Sequence, residues 1–92
     1  MPVVHFYDKD QLHALMNIGA MLEFDGPRSR QSLGDIVHAL REDAGIPDEQ
    51  LGPKMQEWAA ALPQHPETED WKRVSTLMYD FVFNILKEAG HI

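Results

Sequence analysis

The sequence predicts an all-α fold, a small four-helix bundle with a short extended N-terminal segment. Three observations carry that prediction. Apolar residues recur at helical spacing in four separate stretches, and glycine or proline punctuates every gap between them. No two alternating runs offer strands to one another. Ninety-two residues are one domain, 1–92, with one modest core.

Residues 2–7, PVVHFY, are β-branched and aromatic. They fit a short strand or an extended arm, and a lone strand pairs only if another chain supplies its neighbour. Asp8 then reads as a helix N-cap, with Gln11 completing a capping box. Leu12, Leu15, Met16, Ile18, Gly19 and Leu22 follow at the helical period until Gly26-Pro27 breaks it. Ser29 or Ser32 caps the next helix, whose single stripe is Leu33, Ile36, Val37, Leu40 and Ala44. Gly45 suits the left-handed residue after a helix, and Pro47 lies just beyond.

Residues 48–52, DEQLG, read as one helical turn. Pro53 is placed at the first position of a fresh helix, where its missing N–H costs nothing, and that helix runs to about Leu62. Met55, Trp58, Ala59 and Leu62 are its inward side, and Pro63 and Pro66 bound the following loop. The last helix is the longest, 67–89, with Glu67, Glu69 and Asp70 in a first turn that favours acids.

That last helix is too apolar for one stripe. On a helical wheel Trp71, Val74, Met78, Phe81, Val82 and Ile85 form a core-facing arc. Tyr79, Phe83 and Leu86 form a second stripe, so the apolar arc is roughly 240° against little more than about 100° for an ordinary surface helix. Either the helix is central, wrapped by the other three, or the second stripe is an intermolecular surface. The second reading is adopted because three short helices have limited area to wrap a long one. A contiguous exposed aromatic patch usually marks an interaction site. Tyr79, Phe83 and Leu86 are therefore the expected contact residues, in a homodimer seam or against another protein.

Charge is lopsided. Residues 42–70 hold eight acids against the one base Lys54, which is the whole of the net charge of −7. Such a balance argues against non-specific nucleic-acid binding and against anionic membranes. Asp48, Glu49, Glu57 and Glu67 are expected to complement a basic surface on a partner protein. No cysteine is present, which removes disulfides, thiolate metal sites and a cysteine nucleophile. The N-terminus lacks the pattern of a signal peptide and no apolar stretch approaches the length of a membrane span, so a cytoplasmic location is expected.

Candidate chemistry is sparse. Asp35, His38 and Glu42 share a helical face, and Glu88 and His91 repeat a carboxylate-x-x-His spacing. The wheel turns His38 and Glu42 outward, and His91 lies past Gly90 at a terminus expected to fray, so no metal or other cofactor is expected. Arg28 and Arg30, beside the serines opening the second helix, are a weak candidate for anion binding. Residues 33–58 loosely have the shape of a helix-turn-helix, but acids open the second helix and Pro53 interrupts it. No nucleophile–base pairing is visible. The expected function is that of a small acidic non-catalytic interaction protein that binds and modulates a partner protein. The alternative is a dimeric helix-turn-helix-like DNA-binding regulator.

Overall fold

The computed structural model describes residues 6–91. Four helices follow one another: α1 Lys9–Phe24, α2 Arg30–Glu42, α3 Asp48–Ala60 and α4 Thr68–Glu88. The expected strand or arm over 1–7 lies mostly outside the described residues, and Phe6 to Asp8 carry no regular secondary structure. Tyr7 is nonetheless buried, and its hydroxyl donates to Gln50 Oε1 at 3.2 Å, tying the chain ahead of α1 to α3.

The helix starts follow the capping chemistry. Gln11 N–H donates to Asp8 Oδ1 at 2.8 Å and Asp8 N–H to Gln11 Oε1 at 3.0 Å, a complete capping box. Ser29 and Ser32 do the same for α2. At the far end of α2, Gly45 takes φ +69°, which lets Ile46 N–H reach back to the Leu40 carbonyl at 3.1 Å.

Two expectations are corrected. Residues 48–52 and the stretch from Pro53 are one continuous helix, α3, with Pro53 inside it. Leu51 and Trp58 are both buried, and seven residues apart they share a face only if the helical phase runs unbroken between them. Gly52, having no Cβ, eases the restriction that proline places on the residue before it. The second correction concerns the C-terminus. Gly90 adopts φ +73° and His91 N–H bonds the Leu86 carbonyl at 2.9 Å, so α4 is closed by a left-handed cap rather than frayed through His91.

The helices form a ring in which each packs on the two beside it: α1 on α4 and α2, α3 on α2 and α4. The core is filled by Leu15, Leu40, Leu51, Trp58, Val74 and Met78. Trp58 meets Phe81 edge-on at 5.6 Å and 69°, and Lys54 Nζ stands 5.9 Å from the centre of the Phe81 ring. The Trp58 indole N–H is buried with no acceptor among the described residues, a cost of about 1–3 kcal/mol.

The tightest seam joins α1 and α4, which run antiparallel. Ser75 Oγ donates to the Leu22 carbonyl at 2.8 Å near one end, and His91 Nε2 lies 2.8 Å from Met16 Sδ near the other. Gly26 permits the approach, and Gly19 lies along the same seam. A Cβ on Gly19 would lie 3.5 Å from Val82 Cγ1, an ordinary contact, whereas one on Gly26 would run into the Ser75 side chain. The two positions therefore predict opposite signs. Gly19→Ala raises stability by up to about 1 kcal/mol through helix propensity. Gly26→Ala lowers it by about 1–3 kcal/mol, because Ser75 must leave Leu22. Urea denaturation of the two variants checks both.

Burial, and then the Glu88 carboxylate, push the Tyr7 phenol above its ordinary value of 10.0. The folded chain thus holds this proton more tightly than the unfolded chain does. The associated stability is fully present below about pH 10 and is lost as pH rises through the raised folded value. Denaturation at about pH 8 and about pH 11 is expected to show a decline that is smaller in Tyr7→Phe.

Candidate functional site

A helix in a ring has one side turned away from its neighbours. For α4, that side adjoins the α1 seam and carries the row Trp71, Ser75, Tyr79 and Phe83, each four residues from the next. The row drifts slowly around the helix, from half-buried Trp71 to Phe83, which is 41% exposed. Tyr79 is half-buried and stacks on Phe83, ring centres 6.0 Å apart and planes 22° from parallel.

The expected contact residues separate here. Phe83 stands at the surface and Tyr79 at its edge. Leu86 is only 6% exposed and belongs to the core, so its placement on a contact surface is corrected. The cause is the closeness of α1: where Gly19 sets that helix against Val82, the near edge of the second stripe is covered and only its far edge stays open.

The α1 side of the same face was not expected. In the antiparallel register that puts Gly19 against Val82, Met16 lies toward the C-terminal end of α4, its Sδ 2.8 Å from His91 Nε2. Met16 is 43% exposed, Ala20 is exposed, and Phe24 at the end of α1 is 83% exposed. Below Tyr79 the face sinks into an open groove of about 910 Å³ between the end of α1 and the first half of α4. Phe24, Trp71 and Tyr79 supply its apolar lining; Glu23, Asp25, Arg28 and Lys72 bring charge of both signs. The spacing of 71, 75, 79 and 83 was visible in the sequence. That α1 rather than another helix lies beside it was not.

The groove is poorly equipped for chemistry. Ser75 and Thr76 line it, but Ser75 Oγ donates to the Leu22 carbonyl and Thr76 Oγ1 to the Lys72 carbonyl at 3.0 Å. Among the described residues, no group of three or more metal-ligating side chains comes together, and His38 stands exposed on α2. Arg28 and Arg30 do flank the start of α2, yet each is directed at the chain itself. Arg28 Nη2 pairs with Asp25 Oδ1 at 2.8 Å, and Arg30 Nη2 donates to the Pro63 carbonyl at 2.8 Å. The serine caps occupy the helix end between them.

The acidic residues of 42–70 lie at the end of α2, on α3, in the loops around it and in the first turn of α4. Asp48 pairs with Arg41 at 2.9 Å and Glu57 with Lys54 at 3.2 Å, while Glu49 and Glu67 are exposed. These ion pairs are largely solvated, worth about 0–1 kcal/mol each, and leave the segment strongly negative. Among the described residues, no helix is long and apolar enough to cross a membrane. No protein-family model matches the chain, and no curated protein or solved structure matches it significantly.

The placement of the second stripe separates two substitutions. Leu86→Ala is expected to cost about 2–5 kcal/mol, as for a buried leucine, whereas Phe83→Ala in dilute solution costs about 1 kcal/mol. Urea midpoints of the two variants at low protein concentration measure the difference.

Proposed function

We propose that this chain is a small acidic interaction protein that acts by binding and modulating another protein, without catalysis of its own. One observation carries the reading: the outer face of the α1–α4 pair leaves aromatic and thioether side chains in water. Phe83, Met16 and Phe24 are exposed there beside a groove walled by Trp71 and Tyr79. Aromatic and methionine side chains are enriched at interfaces, and binding energy tends to concentrate on aromatics.

The acidic segment supports the same reading from another side. Asp48, Glu49, Glu57 and Glu67 give α3 and the start of α4 a negative field that attracts a partner with a basic surface and speeds encounter. A DNA reader built on α2 and α3 draws no comparable support. Its second helix opens on exposed Asp48 and Glu49, like charge facing phosphate.

The test is photo-crosslinking in the source cell, with a photoreactive phenylalanine analogue placed at position 83 or, as control, at exposed His38 on α2. A discrete protein adduct from position 83 and none from position 38 is the expected result. Equal labelling from both, or none from either, removes the outer face of α1 and α4 as an interface.

A further inference from the structure

We infer that the groove between the end of α1 and the first half of α4 takes a cationic amphipathic helix of another protein. This rests on the reading of the outer α1–α4 face as an interface and names the chemistry of its partner.

The groove exists because two antiparallel helices end at different levels. Ser75 holds the Leu22 carbonyl at 2.8 Å. Past that bond α1 continues only through Glu23 and Phe24, whereas α4 extends back through seven residues to Thr68. At about 1.5 Å per residue, roughly 7 Å of α4 has no helix beside it on that side. Phe24, Trp71 and Tyr79 are left around an open space of about 910 Å³. A small molecule in so open a groove keeps much of its surface in water, whereas such ligands ordinarily bury about 70–90% of it. Among the described residues there is no strand edge on which an extended peptide could pair. A helix laid along α4 takes the place that α1 vacates. Trp71 and Tyr79 are eight residues apart, about 12 Å along the axis, close to the roughly 10.5 Å between apolar anchors at i and i+7 of a docked helix.

Charge sets the sign of that helix. Glu23 and Asp25 line the groove, and Glu67 and Glu69 wall the shelf that continues it past Trp71. Against these four acids stand two bases, Arg28 and Lys72. Arg28 is held by Asp25 at 2.8 Å and Lys72 by Glu69 at 3.5 Å. The rim therefore keeps a net negative charge, and Glu23 makes no ion pair among the described residues. The C-terminal end of α1 opens on the same groove with no base in its last turn, and the negative end of its dipole favours cations. The acidic segment 42–70 ends at this rim, so the field that attracts a basic partner leads it to the aromatic lining. Lysine and arginine on the docked helix place their heads at the acids while their stems cover apolar surface. None of the four helices of this chain carries a net positive charge, so the occupant belongs to another protein.

Peptide binding followed by amide and indole N–H chemical shifts of the purified chain tests this. The probe is a leucine–lysine peptide of about 15 residues with its leucines on one helical face. Its control carries glutamate for every lysine. The lysine peptide is expected to bind in about the micromolar range and the glutamate peptide not at all. Shifts are expected over 24–28 and 68–79 and at the Trp71 indole, with the buried Trp58 indole unmoved. Phe24→Ser and Glu23→Lys change exposed residues, so helical circular dichroism is retained. The first weakens binding about tenfold and the second about threefold or more. Glu49→Lys makes the same charge change on α3 and leaves affinity within about twofold. No shift with the lysine peptide overturns the proposal, as does equal binding of the glutamate peptide. Shifts centred on α3, or an equal loss from Glu49→Lys, overturn it as well, because charge alone then holds the peptide. The location of the shifts on the wild-type chain decides even if a variant fails to fold. A crosslinked protein at position 83 with no peptide in the groove removes the cationic helix and keeps the face as an interface. Failure of both removes both.

Discussion

The Ser75–Leu22 hydrogen bond fixes the register on which the rest of the molecule depends. Leu22 is in the last turn of α1, where carbonyls have no partner within the helix. Ser75, from the middle of α4, supplies one at 2.8 Å, and Gly26 leaves the room that this requires. One hydrogen bond is worth only about 1 kcal/mol, but an uncapped carbonyl closed off from water costs more. The bond thus penalises every alternative alignment of α1 on α4. With that alignment set, Gly19 comes against Val82, and α2 and α3 close the ring on the opposite side.

The fate of the surplus apolar arc of α4 follows from that alignment. A helix with two neighbours in a ring cannot bury a roughly 240° arc. Leu86 and Phe83 are three residues apart and adjacent on the wheel, yet one is core and the other surface. The boundary between them is the reach of α1, which packs on α4 at Val82. The stack of Phe83 on half-buried Tyr79 then limits the apolar area left open without removing it.

The helix ends were legible because their chemistry is local. Asp8 with Gln11, Ser29 with Ser32 and Gly45 each act within a few residues, and the structure uses each as its sequence context implies. Pro53 misled for the opposite reason. The local rule places proline at a helix start, but the burial of Leu51 and Trp58 on one line outweighs it. A proline inside a helix costs on the order of 3 kcal/mol, and burying a leucine and a tryptophan contributes at least as much. The same limit applied to the site. Tyr79 and Phe83 could be read from one helix, but Met16, Ala20 and Phe24 join them only through a pairing of helices some fifty residues apart in sequence.

The two surfaces differ in the physics available to them. Forces around α3 act at a distance, attract opposite charge and fade with salt. Forces on the α1–α4 face act at contact, depend on excluded water and hardly change with ionic strength. In one small domain the first kind of surface suits encounter and the second suits residence. The two meet at the start of α4, where Glu69 and Asp70 carry the negative charge onto the helix whose later turns hold Tyr79 and Phe83.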